Sequence, residues 1–505
     1  MVGSTSSKRE HQGGTVAALR RHWTEKEVSM SITRSLAEFV AKTRYEDIPS
    51  KVAYETKRIL LDSIGCALGA LSIEKGRIAV ELAKELGGKS EATIIGVGKR
   101  VSPASAAFAN GELISALDND PGVSGHVPPF VIPPAMALAE RARTSGSELI
   151  LAALIGCEVG SRIVKSIPGQ RSAVYPILQG TDKDGKSARD YSWACTIIGA
   201  AAAAGKVLGL DVDQMEDAFG LAAHMCPAPG WASQSLSPPV GMHKFDMAGW
   251  IAQAGVIAAL LAERGYTGQK SVLDGEHGFW WFYGAVACDL ESIVRNIGKE
   301  WNTLGWVAKK FPICGAMGPS LAAFLEILEE EKINPDEIET IAVKIDPLFD
   351  LPMWRNRDVI TCVDAQFSIA YPFAVAVYYP LPEGLGPKWQ TPEVIKDMRV
   401  RRMMEKVNVG FHGIERFPLP EYQSAMSRLV KVDVVVRGRT YTKEGMWASQ
   451  WHKDRGPSEE ELAEKFRVNA TSVLPPEKAE KAMKILMALE KIDNVSKLMK
   501  SVSIR

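Results

Sequence analysis

The feature that most constrains the fold is a change in residue pattern near Leu273. From Ser31 to about Leu273, segments rich in small residues show an apolar period near 3.6 and are separated by Gly and Pro. Alanine and glycine are densest in four runs, at residues 104–109, 135–139, 200–205 and 252–259. Because small side chains let helix backbones approach closely, this part of the chain predicts a tight helical body with several fully buried helices.

Segments with β-branched or alternating character appear only after Leu273. Residues 338–345 read Ile-Glu-Thr-Ile-Ala-Val-Lys-Ile, and residues 430–436 read Val-Lys-Val-Asp-Val-Val-Val, followed by Arg437-Gly438. A third strand and turn is predicted around residues 410–413. These segments indicate strands of an α+β domain.

A last helical section begins at Pro457-Ser458, where Ser458 and Glu461 fit a capping box. We expect this section to rejoin the helical body. Residues 1–29 lack an apolar period and are expected to form a mobile extension. The predicted division is therefore 1–29 extension, 30–273 first part of the helical domain, 274–455 α+β domain, and 456–505 helical tail.

Composition excludes several classes of function. The 60 Lys and Arg balance the 60 Asp and Glu, so no basic excess points to nucleic acid as a partner. None of the seven cysteines forms a C-x-x-C pair, which argues against zinc ribbons and local iron–sulfur sites and favours a reduced, cytoplasmic environment. No apolar stretch reaches the roughly 20 residues of a membrane helix, so no membrane partner is expected.

Two segments place ionisable groups in apolar surroundings. The loop at residues 117–129 carries the carboxylates of Asp118 and Asp120 and the imidazole of His126, groups that suit proton transfer. The alternative is that an aspartate caps a helix end and that His126 is a core histidine. At residues 241–250, Lys244 precedes a buried helix and is placed to hold a substrate carboxylate. An internal pair with Asp246, or a lysine whose stem is buried, is the alternative there.

Two further segments are weaker candidates. Residues 309–316 place Lys309, Lys310 and Cys314 in a turn before a helix, where a thiol can have a lowered pKa, although a lone cysteine is more often a small buried hydrophobe. Asp364 and Gln366 precede a buried helix and suit helix capping. The chain has no HExxH zinc motif, no phosphate-binding Gly-rich loop and no G-x-S-x-G elbow, so hydride, phosphoryl and elbow-type acyl transfer lack support.

These four segments, in this order and spacing, resemble the MmgE/PrpD family, which includes 2-methylcitrate dehydratase, cis-aconitate decarboxylase and iminodisuccinate epimerase. Further matching strings are Ile59 to Cys66, Gly199 to Leu210, Leu260 to Gly268 and Asp364 to Ser368. The resemblance covers about residues 31–503. It implies a mainly α fold, in which a large all-helical domain from the N-terminal part and the C-terminal tail carries an inserted smaller α+β lid. It also implies a homodimer, a small di- or tricarboxylate substrate in the interdomain cleft, and catalysis without a metal or other cofactor.

Carried over by position, the resemblance assigns catalytic roles to Asp118, His126 and Lys244. His126 would exchange the substrate proton, Asp118 would orient or tune it, and Lys244 would neutralise a carboxylate. One local departure is Val127, where the family has proline after the histidine.

Other positions depart from the family pattern. Asp190 or a near neighbour stands where a catalytic histidine is usual, Met247 and Gly318 stand where histidines are common, and Phe311 replaces a tyrosine. Asp190 and Tyr191 are therefore candidate replacement acid/base groups. The candidate substrate-binding residues are His243, Lys310, Cys314 and His277, the last beside Glu276.

The leading hypothesis is a metal-independent lyase, of the dehydratase or decarboxylase type, that moves a proton at carbon on a small di- or tricarboxylate or related hydroxy acid. An epimerase or isomerase of a dicarboxylate is the alternative within enzymology, because it needs fewer acid/base groups. The third hypothesis is a catalytically degenerate family member that binds a metabolite.

Overall fold

The structure is a computed structural model that describes residues 31–167, 193–228, 230, 238–244, 246–275, 277–285, 288–413 and 428–504. The predicted extension at residues 1–29 lies outside the described residues. Over the part described, the chain is mainly α-helical, as the sequence predicts. The boundaries of the predicted domains, the lid arrangement and the homodimer remain predictions.

The described residues before Leu273 include nine α-helices. They are α1 (Ile32–Lys42), α2 (Ser50–Ala70), α3 (Glu74–Leu86), α4 (Pro103–Ala116), α5 (Pro128–Ala142), α6 (Gly146–Ser166), α7 (Ile197–Leu208), α8 (Val212–His224) and α9 (Ala248–Glu263). A small hairpin of β1 (Ala92–Thr93) and β2 (Arg100–Val101) lies between α3 and α4.

Helices α4, α7 and α9 are almost entirely buried, as the dense alanine and glycine predict. Helix α7 packs on α6, and α9 packs on both α4 and α7. A Cβ added at Gly199 of α7 would lie 2.7 Å from the carbonyl oxygen of Gly156 and 2.8 Å from the Cα of Gly160, both on α6. Glycine at these positions therefore permits direct backbone contact between the two helices.

Shorter helices and a second sheet follow Leu273. The helices are α10 (Phe279–Tyr283), α11 (Leu290–Val294), α12 (Gly318–Glu330), α13 (Pro352–Arg355), α14 (Cys362–Phe367), α15 (Ala370–Tyr378), α16 (Pro392–Ile395) and α17 (Met398–Glu405). The strands are β3 (Ile338–Ile345), β4 (Val407–Phe411), β5 (Arg428–Val436) and β6 (Arg439–Trp447), in the spatial order β4-β3-β5-β6.

The three predicted strand segments fall on β3, β4 and β5. Strand β3 pairs parallel with β4 and antiparallel with β5. Alternate residues of β5, from Val430 to Val436, are buried, and α12 packs against β5 and β6. Arg437 and Gly438 both have positive φ, of 50° and 73°, which suits the tight turn between β5 and β6.

The C-terminal section forms three helices, of which the first two pack on α2. They are α18 (Glu459–Ala470), α19 (Pro476–Met487) and α20 (Ser496–Ser501). The predicted capping box is present, with Ser458 and Glu461 bonding each other's backbone N–H groups at the start of α18. Helix α18 packs on α2, where the ring of Phe466 lies 3.1 Å from a Cβ added at Gly65. Among the described residues, no helix is both long and apolar enough to cross a membrane.

Candidate active site

The candidate site is built on the loop that follows α4. Asp118 lies two residues after the end of α4 and has a left-handed φ of 53°, an uncommon conformation for a residue with a Cβ. It turns the chain so that Asp118, Asp120 and His126 share one buried space. Backbone strain of this kind persists only where surrounding contacts hold it, and it is frequent at functional sites.

Asp120 and His126 form a dyad. Nδ1 of His126 lies 2.7 Å from Oδ2 of Asp120, and Nε2 of the same ring lies 3.6 Å from Oδ1 of Asp118. An ionised carboxylate only accepts hydrogen bonds, so Nδ1 carries the proton that is donated to Asp120. Nε2 is therefore the nitrogen that gains or loses a proton when the imidazole titrates.

Two buried lysines converge on the other carboxylate. Nζ of Lys244 lies 2.5 Å from Oδ1 of Asp118, and Nζ of Lys309 lies 2.8 Å from the same oxygen. Nζ of Lys244 is also 3.7 Å from Oδ1 of Asp120. The five side chains, here called the 118–309 cluster, are Asp118, Asp120, His126, Lys244 and Lys309.

Local backbone structure brings both lysines to the loop. Gly122 and Val307 exchange two backbone hydrogen bonds of 2.8 and 2.9 Å, which places Lys309 beside Asp118. Lys244 ends a turn closed by a hydrogen bond from its N–H to the Gly241 carbonyl, and its φ is 58°. Two of the five members of the cluster thus sit on left-handed backbone.

The electrostatics of the cluster keep both carboxylates ionised. Burial raises the pKa of Asp118 and Asp120, but the neighbouring cations of the cluster outweigh burial, so the pKa of each carboxyl lies below its ordinary value. Burial lowers the pKa of Lys309, but Asp118 and Asp120 raise it above the ordinary value. The ammonium of Lys309 is consequently charged at neutral pH.

The pKa of His126 is set by opposing influences, of which burial is the largest. Burial lowers its pKa, Asp120 raises it, and the ammoniums of Lys244 and Lys309 lower it; the pKa is below its ordinary value. With the imidazole neutral, two ammoniums balance two carboxylates. An added negative charge would raise the pKa of His126, because an opposite charge favours the imidazolium.

His126 is the most accessible member of the cluster. Its side chain is 15% exposed, against 3% for Lys244 and 8% for Lys309. The indole of Trp193 meets the imidazole edge-on, with ring centroids 5.0 Å apart. A Cβ at Gly125, where φ is 104°, would lie 2.3 Å from Nε1 of Trp193, so this contact requires glycine.

One ligand atom each from Asp118, Asp120 and His126 lie within 4.8 Å of one another, a spacing that a metal ion can bridge. However, Oδ1 of Asp118 already contacts the two ammoniums. Two positive charges within hydrogen-bonding distance of a ligand oxygen oppose binding of a further cation. The cluster is therefore better suited to an anion than to a metal.

The structure brings together the three residues on which the sequence prediction mainly depends, Asp118, His126 and Lys244. It places Asp120, rather than Asp118, in the short contact with the imidazole. The predicted acid/base candidates Asp190 and Tyr191 lie outside the described residues, as does Glu276.

The predicted substrate-binding residues are dispersed. Nζ of Lys310 lies over the rings of Phe311 and Trp451, 5.5 and 5.6 Å from their centroids, and it is Lys309 that reaches Asp118. Cys314 is buried near the cluster, and burial raises the pKa of its thiol, which is therefore neutral. His243 and His277 are exposed, and the ring of His277 lies 6.2 Å from that of Trp281.

The structure shows the burial and contacts of three positions that depart from the family pattern. Met247 is exposed, and Phe311 is fully buried and stacked on Trp389, with ring centroids 5.9 Å apart. Gly318 faces Gln450, whose Cγ and Cδ would lie 2.2 Å from an added Cβ. Gln450 thus occupies the space that a side chain at position 318 would need.

Two members of the cluster were not singled out as site residues by the sequence. Asp120 and Lys309 each stand within two residues of a candidate, in the segments recognised as polar. The sequence identifies the polar segments, but neither spacing nor composition shows which charged side chains within a segment enter the site.

The fold and the cluster define a mainly helical protein with a buried histidine, carboxylate and lysine site. Residues 34–286 match the MmgE/PrpD N-terminal domain, and residues 311–491 match the MmgE/PrpD C-terminal domain. The chain belongs to the MmgE/PrpD family, as the sequence resemblance indicates.

Several curated relatives are similar over most of the chain. Cis-aconitate decarboxylase of Aspergillus terreus is 30% identical over 371 residues, which cover 68% of this chain and 71% of that protein. Human cis-aconitate decarboxylase is 26% identical over 489 residues, 93% of this chain and 94% of that protein. The cis-aconitate decarboxylase-like protein oryM of Aspergillus oryzae is 26% identical over 501 residues, covering 94% and 97%.

Proposed function

We propose that this protein is a metal-independent lyase that decarboxylates a small unsaturated tricarboxylate, with cis-aconitate as the first candidate substrate. The observation that carries the proposal is the 118–309 cluster, in which an Asp120–His126 dyad lies beside two buried lysines. The relatives named above support decarboxylation of cis-aconitate rather than dehydration of a hydroxy acid.

The cluster favours an anionic ligand. When His126 is neutral, the two ammoniums and two carboxylates of the cluster cancel in formal charge. A ligand carboxylate that approaches the imidazole therefore meets two buried ammoniums and is not repelled by a net negative charge on the cluster. In a poorly solvated site such cations stabilise anionic charge much more than they do in water. Lys244 and Lys309 are held by Asp118 and need little reorganisation when the ligand binds.

His126 is the proposed acid. A bound polycarboxylate raises the pKa of the imidazole, so that Nε2 carries a proton in the complex. The Asp120 contact at Nδ1 fixes the ring and stabilises the imidazolium. A properly positioned acid of this kind contributes roughly 10²–10⁴-fold to a rate.

The proposed reaction balances with a proton as the only co-reactant. The bond between carbon and one carboxylate breaks, CO₂ leaves, and the bonding electron pair stays on the substrate as an allylic carbanion conjugated with a remaining carboxylate. Lys244 and Lys309 stabilise that negative charge, and His126 delivers its proton to carbon. Solvent then reprotonates the imidazole.

Product analysis in D₂O tests the proposal. The purified protein should release CO₂ from cis-aconitate and yield a C5 dicarboxylate with one carbon-bound deuterium, both visible by NMR. His126→Ala should lose at least about 10²-fold in kcat, and addition of EDTA should leave the wild-type rate unchanged. Thermal stabilisation by cis-aconitate without CO₂ release would show a metabolite-binding protein instead.

A further inference from the structure

The backbone that carries Asp118 and Asp120 is held by an unusual set of contacts. The last carbonyl groups of a helix lack partners within the helix. At the end of α4, five consecutive carbonyls, from Ser115 to Asn119, each lie within hydrogen-bonding distance of a side chain from elsewhere in the chain.

The five donors come from distant parts of the sequence. They are Lys244 Nζ to Ser115 O at 3.5 Å, Gln366 Nε2 to Ala116 O at 2.7 Å, Gln390 Nε2 to Leu117 O at 2.7 Å, Lys309 Nζ to Asp118 O at 2.8 Å, and Lys465 Nζ to Asn119 O at 2.7 Å. Two of them, Lys244 and Lys309, also belong to the 118–309 cluster. Gln366, Gln390 and Lys465 lie outside the cluster. Gln366 also donates to Oε1 of Gln390, and Lys465 also pairs with Asp62.

Lys465 holds the peptide between the two carboxylates of the site. Its side chain on α18 is 1% exposed, and Nζ lies 2.7 Å from both the Asn119 carbonyl and Oδ1 of Asp62 on α2. The thiol of Cys66 also donates to the Asn119 carbonyl, at 3.2 Å. The Asn119 carbonyl belongs to the peptide plane that leads into Asp120, so a charged donor there restricts rotation of that plane.

We propose that Lys465 is a positioning residue of the reaction, because it fixes the Asn119 carbonyl and thereby the direction of the Asp120 carboxylate. Gln390 has the same function at Leu117. This inference deepens the proposed function and assigns a role in the reaction to the C-terminal tail. Neither residue is proposed to touch substrate.

The test compares Lys465→Met with Lys57→Met as a matched control. Lys57 also lies between α2 and the C-terminal tail, and its Nζ donates to a carbonyl, that of Met487, and to a carboxylate, that of Glu490, both at 2.8 Å. Both variants thus remove a buried ammonium between the same two parts of the fold. Only Lys465 contacts the loop.

Two readouts separate positioning from stability. We expect kcat of Lys465→Met to fall about tenfold to a hundredfold, with KM changed less, while Lys57→Met keeps the wild-type kcat. NMR titration of ¹⁵N-histidine-labelled protein reports on His126 without need of turnover. In Lys465→Met its midpoint should move to lower pH, because a displaced Asp120 no longer stabilises the imidazolium, and in Lys57→Met it should stay.

Two further variants are controls for the possibility that Lys465→Met is simply unfolded. Lys465→Met leaves Asp62 buried without its cation, whereas Asp62→Asn/Lys465→Met removes both charges and should restore thermal stability. We expect the double variant to keep the low kcat and the shifted titration. Gln390→Met introduces no charge and should shift the titration in the same direction.

Recovery of kcat and of the His126 titration in the double variant would overturn the proposal, since the ion pair would then serve stability alone. An unshifted titration in both Lys465→Met and Gln390→Met would overturn it as well. If wild-type protein releases no CO₂ from cis-aconitate, the proposed function fails, but the titration still decides whether Lys465 positions the loop.

Discussion

At the scale of single residues, the site depends on which partner each of two nearby like charges meets. Asp118 binds two ammoniums, whereas Asp120 binds the imidazole. Lys309 reaches Asp118, whereas the next residue, Lys310, lies over aromatic rings. The two members of each pair have the same type of side chain but different contacts. Substituting one member at a time should therefore have different effects.

Lys309→Met and Lys310→Met should therefore differ strongly. Removing the Lys309 ammonium takes one cation from the developing carbanion and two hydrogen bonds from Asp118, so kcat/KM should fall about 10²-fold or more. Lys310→Met loses a cation–π contact of about 1 kcal/mol and should stay within a few-fold of wild type. Steady-state kinetics with cis-aconitate measures kcat/KM of both variants. A larger loss in Lys310→Met than in Lys309→Met would place the substrate beside Lys310.

Asp120→Asn should change the pH dependence as well as the rate. The Asp120 carboxylate raises the pKa of His126, and an amide in its place no longer stabilises the imidazolium. If His126 is the acid, kcat falls as pH rises through its pKa in the complex. That alkaline limb should therefore move to lower pH in Asp120→Asn, and a limb that stays in place would remove Asp120 from the dyad.

The sequence predicts the segments of the site but not these choices. The loop at residues 117–129 and the turn at residues 309–316 were recognised because charges stand among apolar residues. The direction of a side chain depends on long-range contacts such as the backbone pairing of Gly122 with Val307. Gln366 shows the same limit, because it was assigned to helix capping and instead donates to the Ala116 carbonyl.

At the scale of elements, local signals were more reliable. The buried Ala- and Gly-rich helices α4, α7 and α9, the capping box of α18 and the β-branched runs of β3 and β5 all lie where the sequence predicts. Each depends on residues that are near one another in the chain. The parallel pairing of β3 with β4 was not predicted, because it joins segments more than 60 residues apart.

The contact between α6 and α7 gives the element-scale prediction. Gly199→Ala puts a methyl group against the backbone of Gly156 and Gly160, which cannot move without separating the helices. We expect a loss of about 1–3 kcal/mol in the free energy of unfolding. Gly305→Ala is the control, since an added Cβ there meets no atom within 4 Å. Urea unfolding measures both, and equal stabilities would show that α6 and α7 separate easily.

At the scale of the whole molecule, the site draws on four segments that are far apart in the chain. The cluster takes residues from the loop after α4, the turn before α9 and the segment before α12, and Lys465 adds the tail. The order of these elements follows from the sequence resemblance. Their convergence on five adjacent carbonyls could not be predicted, because it depends on the tertiary packing of helices distant in sequence.

The final prediction concerns the two ends of the chain. Deleting residues 457–505 removes α18 to α20, uncovers the face of α2 that packs on Phe466, and takes Lys465 from Asn119. This chain should lose its near-ultraviolet circular dichroism, bind an apolar dye and release no CO₂ from cis-aconitate. Deletion of residues 1–29 is the control, because α1 begins at Ile32 and the family match begins at residue 34. We expect this deletion to leave stability and kcat at wild-type values. A fully active protein without residues 457–505 would show that the tail neither completes the helical body nor positions the site, and both inferences drawn from α18 would fall with it.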